Sequence, residues 1–242
     1  MHAQATVIVS LVADATDGIP AHSVATYLRT ARSAAVAGLV FSVVLVVVLI
    51  LYRTAFPIHD LVETQAPLTN EQIDRARWAL YLLPFAGIGF IWFMAALNYS
   101  IGHADHRLFT TVYIASGVIF VALMFVAGAI SSAEVVAWTA GDDLQQPARL
   151  LPAAIVNALL ADYSARMAAI FCLSVSTFGR MRKILPSWLT ILGTVTGLFL
   201  LLVPFGLRYV EYVFPVWVTI LSVYLLIKGP GGQVHRQTHP TT

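Results

Sequence analysis

An all-α, polytopic membrane bundle of six transmembrane helices is the fold class that two observations predict. The 242 residues contain six apolar runs, at 33–52, 78–97, 109–130, 153–177, 188–205 and 209–227. About 20 apolar residues at 1.5 Å rise cross the ~30 Å hydrocarbon core of a bilayer, so each run reads as a membrane helix. The second observation is composition: 59% of the residues are hydrophobic and only 11% charged, against roughly 25% charged in ordinary soluble domains. A soluble fold of this size has no place for so much apolar surface. In lipid every backbone N–H and C=O needs an internal partner, which leaves helices or closed barrels. The runs are near-continuous rather than alternating, which selects helices.

The expected organisation is a cytoplasmic N-terminal segment at 1–32, a six-helix transmembrane domain at 33–228 and a flexible cytoplasmic tail at 229–242. Residues 1–20 are small and polar and are expected to be poorly ordered. Residues 22–32 suit a short interfacial helix with Tyr27, Arg29 and Arg32 at headgroup level. The first eighteen residues lack a basic start and a sustained apolar stretch, so the first run is expected to serve as its own insertion signal. That run has almost no polar side chain, which reads as a peripheral, lipid-facing helix.

Ahead of the second run, Thr69-Asn70-Glu71-Gln72 matches a capping box. Glu71 and Arg75 follow at i, i+4, where opposite charges support a helix. The second run carries Pro84, which kinks a helix, and Gly87 and Gly89, which admit a close neighbour. Loop 131–152 is expected to separate the third and fourth runs, with Glu134, Asp142 and Asp143 around Trp138 and a short surface helix at most. The fifth run holds Gly193-x-x-x-Gly197, a small-residue spacing suited to tight helix contact. Gly206-Leu207-Arg208 is so short that the fifth and sixth runs should form an antiparallel pair. The sixth keeps Glu211 at its outer end and Pro215 in its first turns.

Lys and Arg set orientation. With the N-terminus inside, the cytoplasmic side holds Arg29, Arg32, Arg107, Arg180, Arg182, Lys183, Lys228 and Arg236. The other side holds Arg53, Arg75, Arg77, Arg149 and Arg208. The inner set is larger and its densest loop is 180–183, which places both termini in the cytoplasm.

One constellation has the types needed for chemistry. The fourth run carries Asn157, Asp162, Ser164 and Arg166, with Arg166 near its midpoint. A lone charge at bilayer depth costs roughly 2.5–3.5 kcal/mol on insertion scales. Asp162 and Arg166, at i, i+4 with the acid first, can neutralise one another within one helix. Three readings follow: a structural pair that fixes packing, a polar site for an ion or solute, or a helix that enters late and leaves the charges in outer water. No catalytic residue is singled out. His–Asp–Ser groupings at membrane depth, H-E-x-x-H and phosphate-binding glycine loops are all missing from the sequence; the outer acids Asp60, Glu63, Asp142 and Asp143 are the carboxylates from which distant loops could assemble a site.

No metal or cofactor is expected. His103, Asp105 and His106 lie in one short loop without a second cluster to complete a site, and none of the seven histidines falls inside an apolar run, which argues against a haem held by helix histidines. The lone Cys172 excludes an intrachain disulfide and reads as an apolar filler. Too few basic residues are present for a nucleic-acid role.

Two stretches resemble uncharacterised multi-helix integral membrane proteins common in high-GC actinobacteria. One is Asp105-His-Arg-Leu-Phe-Thr-Thr-Val-Tyr running into Ser116-Gly117, and the other is Leu185-Pro-Ser-Trp-Leu after the basic loop. The resemblance implies a six-helix plan in a bacterial inner membrane and carries no activity, cofactor or catalytic residue. The leading expectation is therefore a non-enzymatic accessory or partner-binding subunit, meeting the lipid bilayer and a membrane protein partner or its own copies. The alternative is a small transporter or channel centred on Asp162 and Arg166, with a membrane-embedded enzyme third.

Overall fold

The computed structural model describes residues 21–56, 69–101, 107–139, 146–204, 207 and 209–228. Residues 1–20 and 229–242, the loop acids Asp60, Glu63, Asp142 and Asp143, and His103, Asp105 and His106 lie outside them. Helices α1 (Ala21–Ala55), α2 (Asn70–Ile101) and α3 (Arg107–Thr139) come first. A fourth rod follows, made of α4 (Gln146–Asn157), a π segment (Ala158–Tyr163) and α5 (Ser164–Met181). Then come α6 (Ser187–Leu202), a 3₁₀ turn (Val210–Tyr212) and α7 (Val213–Lys228). No strand occurs among the described residues. Five rods are long and apolar enough to cross a membrane, and α6, at 16 residues, is the short one.

Local sequence explains where helices start and stop. At the start of α2, the Thr69 N–H donates to Gln72 Oε1 at 2.8 Å and the Gln72 N–H to Thr69 Oγ1 at 3.3 Å, the reciprocal capping box. Glu71 and Arg75 pair one turn later. The α5 end is a Schellman closure: Ile184 N–H donates to Gly179 O at 3.1 Å and Lys183 N–H to Arg180 O at 3.2 Å. Lys183 takes the left-handed position, φ 54°, that glycine usually fills. Pro204 pushes Val203 into an extended conformation (φ −59°, ψ 135°), which ends α6 at Leu202.

Rings from five rods meet at the centre. Phe90 stands 4.7 Å from Phe41, 5.2 Å from Phe120, 5.1 Å from Phe171 and 5.7 Å from Phe214, centroid to centroid. The tilted and edge-on geometries suit the ring quadrupoles. Glycines bring the backbones close around this centre. A methyl at Gly117 would strike Met94, one at Gly87 would strike Phe125, and one at Gly197 would sit 2.7 Å from Leu173 and 3.0 Å from the Ala169 carbonyl. The Gly193/Gly197 face thus packs on α5, in the role its spacing predicts.

Three expectations about neighbours change. Helix α1 is not peripheral: it packs extensively on α2 and also on α7, burying Phe41, Leu45, Val48 and Leu49. Its Val36, Val40, Val43, Val47 and Ile50 form an outward stripe. Helix α6 packs chiefly on α5 and α7 chiefly on α1, so the short connection does not make α6 and α7 a close pair. A cleft of about 260 Å³ lined by Leu192, Val213, Val216, Trp217 and Ile220 lies between them. Finally, α3 continues through Ser131 and Glu134 to Thr139, well into the stretch expected to be loop.

Tyr113 and Gly117 of α3, and Leu185 before α6, make close contacts between elements. The Tyr113 hydroxyl donates to the Met94 carbonyl at 2.9 Å, and Gly117 sits against the same methionine. Leu185 folds back over Gly179.

Candidate functional site

The fourth rod widens where its polar residues lie. In the π segment the Ser164 N–H reaches Leu159 O, five residues back, and the Ser164 hydroxyl donates to Leu160 O. Such widened turns often mark functional sites in helices. The segment packs on α3 and on the 3₁₀ turn that precedes α7.

Asp162 and Arg166 bracket the end of the widening. Arg166 Nη1 donates to the backbone carbonyl of Asp162 at 2.7 Å, and Nη2 donates to the carbonyl of Val203 at 3.2 Å. The Asp162 carboxylate stands 3.9 Å from Nη1, a looser ion pair than the two carbonyl contacts. Arg166 therefore works across helices. Pro204 forces α6 to stop, a helix end leaves carbonyls without intrahelical donors, and Arg166 reaches over from α5 to satisfy one of them. Asp162 is only 8% exposed, which removes the reading that leaves the pair in bulk water. The other two candidates do not join this pair in one polar stripe. Ser164 is buried and bonds its own helix, while Asn157 is half-buried at the end of α4 and makes no side-chain cap.

A second polar group, not foreseen as a site, lies at the same end of the bundle. Arg53 at the end of α1 pairs with Glu211 on the 3₁₀ turn, and its guanidinium carbon lies 4.9 Å above the Tyr209 ring. A cation suits the C-terminal end of a helix. Glu211 Oε2 is buried without a hydrogen-bond partner. Nearby, Ser131 and Tyr52 approach at 3.4 Å, joining α3 to α1.

Glu134, one turn beyond Ser131, is also 8% exposed, and its Oε2 has no partner. Its position was readable in principle. Phe120, Met124, Ala127, Ser131 and Glu134 recur at alternating four- and three-residue steps, so extending the buried face of α3 past Ile130 leads directly to it. The Arg53–Glu211 pair had no such signal, because 158 residues separate its members.

Among the described residues, no three His, Cys, Asp or Glu side chains gather as a metal site requires. Cys172 is buried in the bundle core. A second, very small cavity of about 20 Å³ lies between α1, α2, α3 and the π segment, against Tyr52, Leu83, Met124 and Leu160. The polar groups thus bridge rods: Arg166 joins α5 to α6, Arg53 joins α1 to the start of α7, and Tyr52 joins α1 to α3. No family model, no curated protein and no solved structure matches the chain.

Proposed function

We propose that the chain is a six-span protein of a bacterial inner membrane, with both termini in the cytoplasm, that acts as a non-enzymatic accessory subunit by holding a transmembrane partner. The observation that carries this reading is on α2. Trp78, Tyr81, Phe85 and Trp92 point away from the bundle, and no other described helix covers them. Aromatic side chains are what binding surfaces concentrate. The transporter alternative, with Asn157, Asp162, Ser164 and Arg166 as a solute site, has less support because two guanidinium donors are directed at backbone carbonyls. In this reading α6 supplies the sixth crossing together with the apolar residues beyond its end.

Purification in a mild detergent tests the function. The chain should carry a stoichiometric polypeptide partner, its own copy or another protein, and the double variant W78A/W92A should lose that partner while still eluting as a folded species. A wild-type chain that runs as a lone protomer under all mild conditions removes the reading. Orientation is tested separately: a membrane-impermeant label should reach cysteines placed at Arg180 or Arg182 only from the cytoplasmic side.

A further inference from the structure

At the junction of α5 and α6, one turn carries charge that the protein leaves unbalanced. Arg180, Arg182 and Lys183 stand within one stretch of four residues, and all three are exposed. Among the described residues, the ion pairs do not include them. The bases in the first turns of α2 differ, since Arg75 and Arg77 each meet an acid of their own helix, Glu71 and Asp74. The carbonyl end of α5 offers the cluster about half a negative charge. Against three cations that leaves roughly two and a half positive charges without a counterpart. Membrane orientation needs only a count of bases, whereas here the geometry is fixed as well.

Arg182 N–H donates to Phe178 O at 3.0 Å and Leu185 N–H to Gly179 O at 3.3 Å. With the two bonds of the Schellman closure, every amide from Arg182 to Leu185 is bound back to the end of α5. A backbone held in this way needs little ordering when a ligand arrives, which favours binding. The level of the turn is marked by rings. Trp188, the second residue of α6, is 52% exposed and meets Tyr224 of α7 edge-on at 6.0 Å. Tryptophan and tyrosine gather at headgroup level, so the cations six to eight residues before Trp188, across the closed turn, lie beside lipid phosphates. Met181, among the charges, is 51% exposed and adds apolar surface.

We infer that the α5–α6 turn is a headgroup site for an anionic phospholipid, and that a headgroup with two phosphates is held more tightly than one with a single phosphate. Phosphodiester oxygens accept charge-assisted hydrogen bonds from guanidinium and ammonium groups. Two phosphates bring two negative charges, close to the charge left over at the turn. Inorganic phosphate shares this chemistry but has no use for Met181 and Trp188, which a lipid meets with its glycerol and acyl parts. The site goes beyond the partner-binding reading and does not depend on it, because it requires only that the turn lie at a membrane surface.

Lipid titration of the full chain decides the matter. The delipidated protein in detergent is titrated with tetraoleoyl cardiolipin, dioleoyl phosphatidylglycerol or dioleoyl phosphatidylcholine, and bound lipid is counted by native mass spectrometry. A base near an anionic headgroup is worth roughly five-fold in affinity, so cardiolipin should bind about ten-fold or more tighter than phosphatidylcholine, with phosphatidylglycerol between them. The variant R180Q/R182Q/K183Q should lose this preference, R180K/R182K should keep it, and R75Q/R77Q should leave it unchanged. If the triple variant fails to fold, the single variants R180Q, R182Q and K183Q decide, each losing roughly five-fold. Equal binding of cardiolipin and phosphatidylcholine by the wild-type chain overturns the site, as does a preference that survives neutralisation of the turn. Inorganic phosphate in molar excess should leave cardiolipin bound; displacement would assign the cations to a soluble anion and remove the lipid.

Discussion

Helix α2 presents aromatic residues on opposite faces, and the two sets live differently. Inward, Phe90 and Phe93 meet rings from α1, α3, α5 and α7 at the centre of the bundle. Outward, among the described residues, Trp78, Tyr81 and Phe85 make ring contacts along their own helix, at 6.0 Å and 5.6 Å. In water both faces would be driven inside. In lipid the solvent is as apolar as the core, so only packing and polar satisfaction separate them. An inward ring therefore matters to the fold, and an outward ring matters to whatever the chain meets.

The largest effect is expected at a buried polar group of the bundle interior, on α5 rather than α2. Arg166→Met should destabilise the bundle by about 3 kcal/mol, because it leaves a buried acid and two carbonyls without the guanidinium. Thermal unfolding in detergent reads the effect. Combining it with Asp162→Asn should cost less than the sum of the two single changes, if the pair is structural. Additive losses would count against the clamp.

Next comes the ring cluster. Phe90→Ala removes no aqueous transfer energy in lipid, so the cavity carries the loss. At about 24 cal/mol per Å³, a void of roughly 100 Å³ costs on the order of 2 kcal/mol. Phe85→Ala on the outward face should change protomer stability by less than about 0.5 kcal/mol. Equal losses at the two positions would erase the distinction between the faces.

Smaller effects sharpen it. Glu134→Met should stabilise the fold by about 1 kcal/mol, since an apolar side chain of similar length leaves no partnerless oxygen buried there. Denaturant titration checks the sign, and a loss of stability would mean that the carboxylate has an unrecognised partner. Lys183→Gly, outside the helices, should add up to about 1 kcal/mol by relieving the left-handed backbone. An unchanged melting temperature there would show that the turn carries little strain.

Much of the helical plan was legible because its causes are local. The apolar runs and the Thr69–Gln72 box act over a few residues; the box is present as read, and five of the runs stand in helices long enough to span a membrane while the fifth in order is shorter. Small-residue spacing at Gly193 and Gly197 correctly marked a tight contact, but the neighbour was not legible. A short connection placed α6 and α7 in succession without making them pack, since the best-fitting faces were elsewhere. Asp162 and Arg166 were found because a charge inside an apolar run is conspicuous. What Arg166 binds was not legible, because Val203 lies 37 residues away.

Apolar character, helix existence and the capped start of α2 followed from the amino-acid sequence by itself, through chain length in apolar runs and the Thr69–Gln72 box. Only the tertiary structure decided that the fourth rod widens at Ala158–Tyr163, that α1 packs on both α2 and α7, and that Glu134 faces inward rather than lying in a loop. Those outcomes depend on which helix faces meet, a property of distant residues brought together that no local pattern encodes.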